Sequence, residues 1–230
     1  MTLYEFKMYL KRLKLVKVIL NIRNNKEDSS KQEFLQEEGL DLLKSIEGAL
    51  EDSNITYFAD YGTLLGIIRD HAFISWDNDV DYGLLIDESF DWKKFEELMN
   101  EYGFKKIREF LFQNKVSEQT YRIGSLTVDF FGHQIKNNSV LGYGFFRKDN
   151  YIYHSKDDFH VRVVEYVKLL GTKTVDFLGT SVHVPLNSEE YLESVYTKSW
   201  RTPDPKWSDE NYSDRKVMIL DELGKGYFYE

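Results

Sequence analysis

The sequence predicts an α/β (α+β) protein, a mixed β-sheet flanked by helices, and three observations predict it. Helix-like and strand-like runs alternate between residues 31 and 103, which is the order of a layered α/β fold. Short β-branched and aromatic runs then follow one another from residue 104 to 185, as in a sheet. A basic amphipathic segment stands ahead of both. The bulk properties allow such a fold. The 230 residues suit one domain, and 42% hydrophobic with 16% aromatic residues supplies a core.

Composition also excludes some functions. A formal charge of −9 argues against bulk nucleic acid as the main partner. With no cysteine, disulfides and thiolate metal sites are excluded, and a reducing cytoplasm fits. The apolar runs fall short of the roughly 20 residues of a membrane span, and the N-terminus lacks the features of a signal peptide.

Residues 1–26 carry Leu3, Phe6, Leu10, Leu13, Val16 and Leu20 at helical steps, with seven basic residues against Glu5. The remainder holds 23 basic against 38 acidic residues, about −15. A basic amphipathic helix suits an anionic membrane surface or a partner; a docking helix with a solvated basic face is the alternative. NNKEDSS (24–30) predicts a turn or short linker with Ser29 or Ser30 as N-cap, so the chain divides into a helix, 1–26, and one domain, 31–230. Phe34, Leu35, Leu42, Leu43, Ile46 and Leu50 predict a second helix. ITYFAD (55–60) reads as a buried strand, GTLLGIIRD (62–70) as a short helix, 79–86 as a strand, and 90–103 as an amphipathic helix stopped by glycine. Strand-like runs follow at 104–112, 120–124, 126–135, 143–147 and 151–155, with a pair in 172–185. Asn187–Ser188 predicts a helix cap, and the proline-bearing tail WRTPDPKWSDENY a covering loop.

WDNDVDYG (76–83) carries the chemistry. Side chains on a strand alternate faces, so Asp77, Asp79 and Asp81 point one way. Neighbouring carboxylates repel and lose hydration unless a cation neutralises them, and oxygen-only ligands suit Mg²⁺ or Mn²⁺. Asp129, mid-run in LTVDFF, is the candidate third ligand; the alternative is a core acid paired with Arg122 or Arg147. Gly62 and Thr63 form a turn whose backbone N–H groups suit a phosphate, with Arg69 two turns later as a second anion contact. Asp77, at the strand entrance, orients Arg69, caps the turn or contacts substrate. Arg147 is a further phosphate candidate. His154 and His160 lack the regular spacing of a helical zinc motif.

A glycine turn, D-x-D and a later aspartate resemble the nucleotidyltransferase fold. YGTLLGIIRDHAFISWDNDVDYGLL closely resembles the signature of LicD-type phosphotransferases and fukutin-related proteins, and PLNSEEYLESVYTKSWRTP is similar to the family's C-terminal segment. Ser75, Asn78 and Thr197 depart from the pattern, and none is a metal-ligand position. The resemblance implies metal-dependent transfer of phosphocholine, ribitol phosphate or glycerol phosphate from a CDP-linked donor to a sugar hydroxyl, releasing CMP. It implies Asp79, Asp81 and Asp129 as catalytic metal ligands. It further implies acceptors such as teichoic acid, capsule or lipopolysaccharide, often lipid-linked, and hence a cytoplasmic enzyme peripheral to the inner membrane face. A nucleotide-sugar glycosyltransferase using the D-x-D pair, or a non-catalytic module of the same fold, remains the alternative.

Overall fold

The computed structural model describes residues 14–149, 151–208 and 216–229, with side chains from residue 29 onward. Helix α1 spans Lys14–Leu50 without a break, where a turn at 24–30 was expected. Asn, Asp and Ser favour caps, but that preference is weak, and residues 24–30 hold neither glycine nor proline to break the helix. The described part of the 1–26 segment therefore continues into the helix of the main body, while residues 1–13 lie outside the described residues. Leu35, Leu42, Leu43, Ile46 and Leu50 are buried, as their spacing predicts. No helix among the described residues is long and apolar enough to cross a membrane.

Strand β1 (Thr56–Ala59) leads through Asp60 into a single helical turn, α2 (Tyr61–Leu65), which continues as a π-helical turn, Gly66–Asp70. After β2 (Val80–Ile86), Asp91 caps α3 (Trp92–Glu101) by accepting from the N–H groups of Lys93 and Lys94. Then come β3 (Lys105–Phe112), β4 (Lys115–Ile123), β5 (Leu126–Lys136), β6 (Ser139–Phe146) and β7 (Asp158–Val167). The hairpin β8 (Thr172–Phe177) and β9 (Thr180–Pro185) forms a second small sheet, followed by α4 (Ser188–Tyr196), a 3₁₀ turn at Lys198–Arg201, β10 (Val217–Ile219) and β11 (Gly224–Phe228).

The expected mixed sheet is present, and it closes on itself. β2 pairs with β5 in parallel; β5 then pairs with β4 along 126–131 and with β6 along 134–136 of the same edge. That change of partner splits the sheet, and β4–β3–β11–β7–β6 returns to β5 as a ring. Residues 151–155, read as a strand, form none, and β7, β10 and β11 arise where no strand was foreseen. Asn187 gives no side-chain cap to α4: its Oδ1 accepts from Leu170 N and its Nδ2 donates to Glu190.

One buried carboxylate ties the layers together. Glu47, in the last turn of α1, accepts from Tyr57 OH at 3.0 Å, Tyr82 OH at 2.8 Å and the His183 backbone N–H at 3.0 Å, with His183 Nδ1 at 2.6 Å. It joins α1 to β1, β2 and β9 at once.

Candidate active site

The parallel pairing of β2 and β5 sets Asp81 opposite Asp129. Residues paired across a sheet share a face, so both carboxylates emerge together, and Asp79, two residues earlier, joins them. One oxygen of each of the three lies within 4.8 Å of the others. The row continues across the next strands. Thr120 of β4 pairs with Asp129, and Arg108 of β3 pairs with Thr120. Four adjacent strands thus present Arg108, Thr120, Asp129 and Asp81 side by side. A bulge between Lys106 and Arg108 shifts the register by one residue, and that shift puts Arg108, rather than Ile107, opposite Thr120.

Arg108 Nη2 donates to both oxygens of Asp129, at 3.0 and 3.1 Å, and to Glu118 at 3.3 Å, while its Nε donates to Thr120 Oγ1 at 2.9 Å. Thr120 Oγ1 also donates to Asp129. The partner of Asp129 is therefore Arg108, not Arg122 or Arg147. Glu118 lines the same cleft of about 530 Å³ as Asp77, Asp79, Asp81 and Asp129.

The acids repel strongly. Burial, then the charges of Asp77 and Asp129, push Asp79 up to about 8. Burial and the neighbouring Asp79, Asp77 and Asp129 raise Asp81 well above the carboxylate range. Glu118 is pushed up to about 8 by burial and Asp129, with Arg108 opposing. Burial also opposes the charge of Arg108, but Asp129 and Glu118 outweigh it. A site built of acids that resist ionising together fits a divalent cation, and its all-oxygen donor set suits Mg²⁺ or Mn²⁺ over softer-ligand metals.

The turn before β2 is bonded to the acidic strand. Asp60, fully buried, caps α2 by accepting from Tyr61 N at 2.7 Å; it also accepts from Tyr191 OH at 2.9 Å and lies 2.6 Å from His133 Nε2. Gly62 N donates to Asp81 Oδ2 at 3.3 Å, so this N–H is aimed at a carboxylate that could hold a metal. Thr63 is buried away from the cleft, and its hydroxyl accepts from Asp81 N at 2.9 Å. Both residues position the acidic strand.

Asp77 lines the cleft with an oxygen against the Gly62 α-carbon, in the space a Cβ would need. It accepts from Asn78 N at 3.1 Å. Gly62→Ala is therefore expected to turn Asp77 aside and lower turnover by about 10- to 100-fold, the loss typical of a misplaced group, with little change in melting temperature. Steady-state rates beside a melting curve check this; a wild-type rate would show that the position of Asp77 is immaterial.

Arg69 reaches the cleft but is held by Asp70, through Nε and Nη2 at 2.7 Å each, and by Trp200 O at 3.3 Å. Arg147 is not brought to the cleft; it donates to Lys156 O and stacks over Tyr153 and Phe159. Trp76, Tyr143, Phe145, Tyr166, Trp200 and Trp207 supply aromatic walls, so the described part of the tail, up to residue 208, lines the cleft, while 209–212 lie outside the described residues. His160 meets Tyr153 OH at 2.8 Å. Arg108, Thr120 and Glu118 were missed because only the bulge and two strand registers bring them here.

Comparison with known proteins fits this geometry. The family described as LicD/FKTN/FKRP, nucleotidyltransferase domain, matches residues 54–187, which contain Gly62, Asp79, Asp81, Arg108 and Asp129. The match ends within the proline-led segment at 185–203. The mouse (Mus musculus) protein named ribitol-5-phosphate transferase FKTN is 28% identical over 173 residues, covering 73% of this chain and 34% of the mouse protein. The chain thus spans about a third of that relative's length. Because the family match takes in more than half of the chain and all three converging aspartates, the chain belongs to the LicD family.

Proposed function

We propose that this chain transfers a phospho-alcohol (phosphocholine, ribitol phosphate or glycerol phosphate) from a CDP-linked donor to a sugar hydroxyl of a cell-surface glycan, releasing CMP. The observation that supports this most is the convergence of Asp79, Asp81 and Asp129 on one face of two in-register parallel strands, within a cleft. The name of the mouse relative supports the substrate class, as does membership of a nucleotidyltransferase family.

Asp79, Asp81 and Asp129 would hold Mg²⁺ or Mn²⁺, and the ion would supply positive charge to offset that of the donor's phosphates and of the departing CMP. Gly62 N and Thr63 Oγ1 fix the strand that presents Asp81. Asp77 keeps its place over Gly62, beside Asp79. An acidic residue of the cleft accepts the proton of the attacking hydroxyl. The aromatic walls offer stacking surfaces for the cytosine or the acceptor sugar and exclude water.

Incubation with Mg²⁺ and a panel of CDP-choline, CDP-ribitol, CDP-glycerol and UDP-sugars tests the reading. CMP release from one CDP-alcohol is the expected result. UDP release alone would replace this function with glycosyl transfer. We place the enzyme in the cytoplasm at the inner membrane face, with residues 1–26 as a basic anchor beside a catalytic domain over 31–230. Binding to anionic vesicles at low salt, reversed as salt rises, checks this placement.

A further inference from the structure

We propose that Arg108 is the arginine that grips the donor's diphosphate, with one edge of its guanidinium braced on the acids and the other turned to the cleft. The inference rests on the phosphotransferase reading and adds a residue to it. Among the described residues, three cations line the cleft: Arg69, Arg108 and Arg162. Arg69 is locked fork-to-fork onto Asp70, its neighbour in sequence. Arg108 uses Nε for Thr120 and Nη2 for Asp129 and Glu118, and Nη1 takes part in none of these bonds. Its side chain is 31% exposed, in a wall of the same cavity as the aspartates.

The bracing is what makes the remaining donors useful. An arginine held along one edge loses little conformational freedom when a phosphate arrives, and Nη1, in the same rigid plane, has two N–H donors for phosphate oxygens. The register shift beside Arg108 supports the same conclusion. Bulges re-aim side chains near active sites, and here the bulge carries the only cation in the row of four residues across β3, β4, β5 and β2. The guanidinium also occupies both oxygens of a candidate metal ligand, so it competes for Asp129 with any cation bound there.

Calorimetric titration of wild type, R108Q and R108K, first with MnCl₂ and then with CDP at saturating Mn²⁺, tests this. R108Q is expected to bind Mn²⁺ at least as tightly as wild type, since the competing charge is gone. It should bind CDP about 10- to 100-fold more weakly, the loss typical of a charged hydrogen-bonded contact. R108K keeps the charge without the fork and should fall between; it carries the test if R108Q fails to fold. CDP affinity in R108Q within about twofold of wild type, with Mn²⁺ binding intact, would overturn the proposal. Loss of Mn²⁺ binding in R108Q would overturn it too, leaving Arg108 a residue that only positions Asp129. Wild type binding neither Mn²⁺ nor CDP would instead remove the phosphotransferase reading on which it rests.

Discussion

Asp79→Asn and Asp81→Asn are each expected to lower turnover on the order of 10³-fold while raising the melting temperature of the metal-free protein. The two effects have one cause. The acids lie within 4.8 Å of one another, so the charge needed to hold a metal is unfavourable without one. The sign follows from proton linkage. Asp79 has an ordinary value of 3.8 and is raised to about 8 in the fold, so its folded form binds more protons across that interval. Stability associated with Asp79 is complete below pH about 4 and is lost as pH rises through about 8. The gain from Asp79→Asn should therefore grow between pH 5 and 8.5, and added Mn²⁺ should stabilise wild type most at the alkaline end of that range. Asp129→Asn should be equally inactive but no more stable than wild type, because Arg108 and Thr120 lose their charged acceptor. Melting curves over this pH range, with and without Mn²⁺, decide it. An Asp81→Asn protein with lowered stability at pH 8.5 would show that the acids are not in conflict.

Glu47→Ala is expected to be among the most destabilising single changes, by about 3–5 kcal/mol, because it leaves buried partners without their acceptor. Tyr57 and Tyr82 are buried and lose their hydroxyl acceptors, and the His183 backbone N–H and ring lose theirs. For a chain of this length that corresponds to a fall in melting temperature on the order of 10 °C. Glu47→Leu restores volume without acceptors and should recover little of the loss. Glu47→Gln keeps one acceptor oxygen and should fall between. Denaturant titration of the three variants measures the series. A small effect of Glu47→Ala would mean that water reaches the tyrosine hydroxyls.

The parts of the site legible in sequence are those written in local periodicity. Asp79 and Asp81 share a face because strand alternation is a property of neighbours, and Asp129 announces itself as a charge inside an apolar run. Gly62 and Thr63 were legible as a turn, while their bonds to Asp81 depend on how that turn meets β2. Arg108 and Glu118 could not be read this way. Each is one charge among many in polar strands, and its place depends on a one-residue register shift and on pairings between strands. The ring was hidden for a similar reason. Its closing strand reads GKGYF, with two glycines and a lysine, a composition poor in strand formers. Those glycines serve close approach: a Cβ at Gly224 or Gly226 would meet the rings of Phe145 or Phe110. The long helix escaped detection because a cap-like polar run at 24–30 stays helical when both flanks are helical.

The closing strand also constrains how the chain can reach its fold. β11 pairs with β3, more than a hundred residues earlier, and with β7. During synthesis the ring stays open until residues 224–228 have left the ribosome. Until then β3, and part of β7, offer unpaired edges to any other chain nearby. Pairings of such sequence separation form late and slowly, which lengthens that exposure. A ribosome-bound chain that has not yet released residues 224–228 would therefore be the aggregation-prone species, even with the aspartates of β2 and β5 already in register.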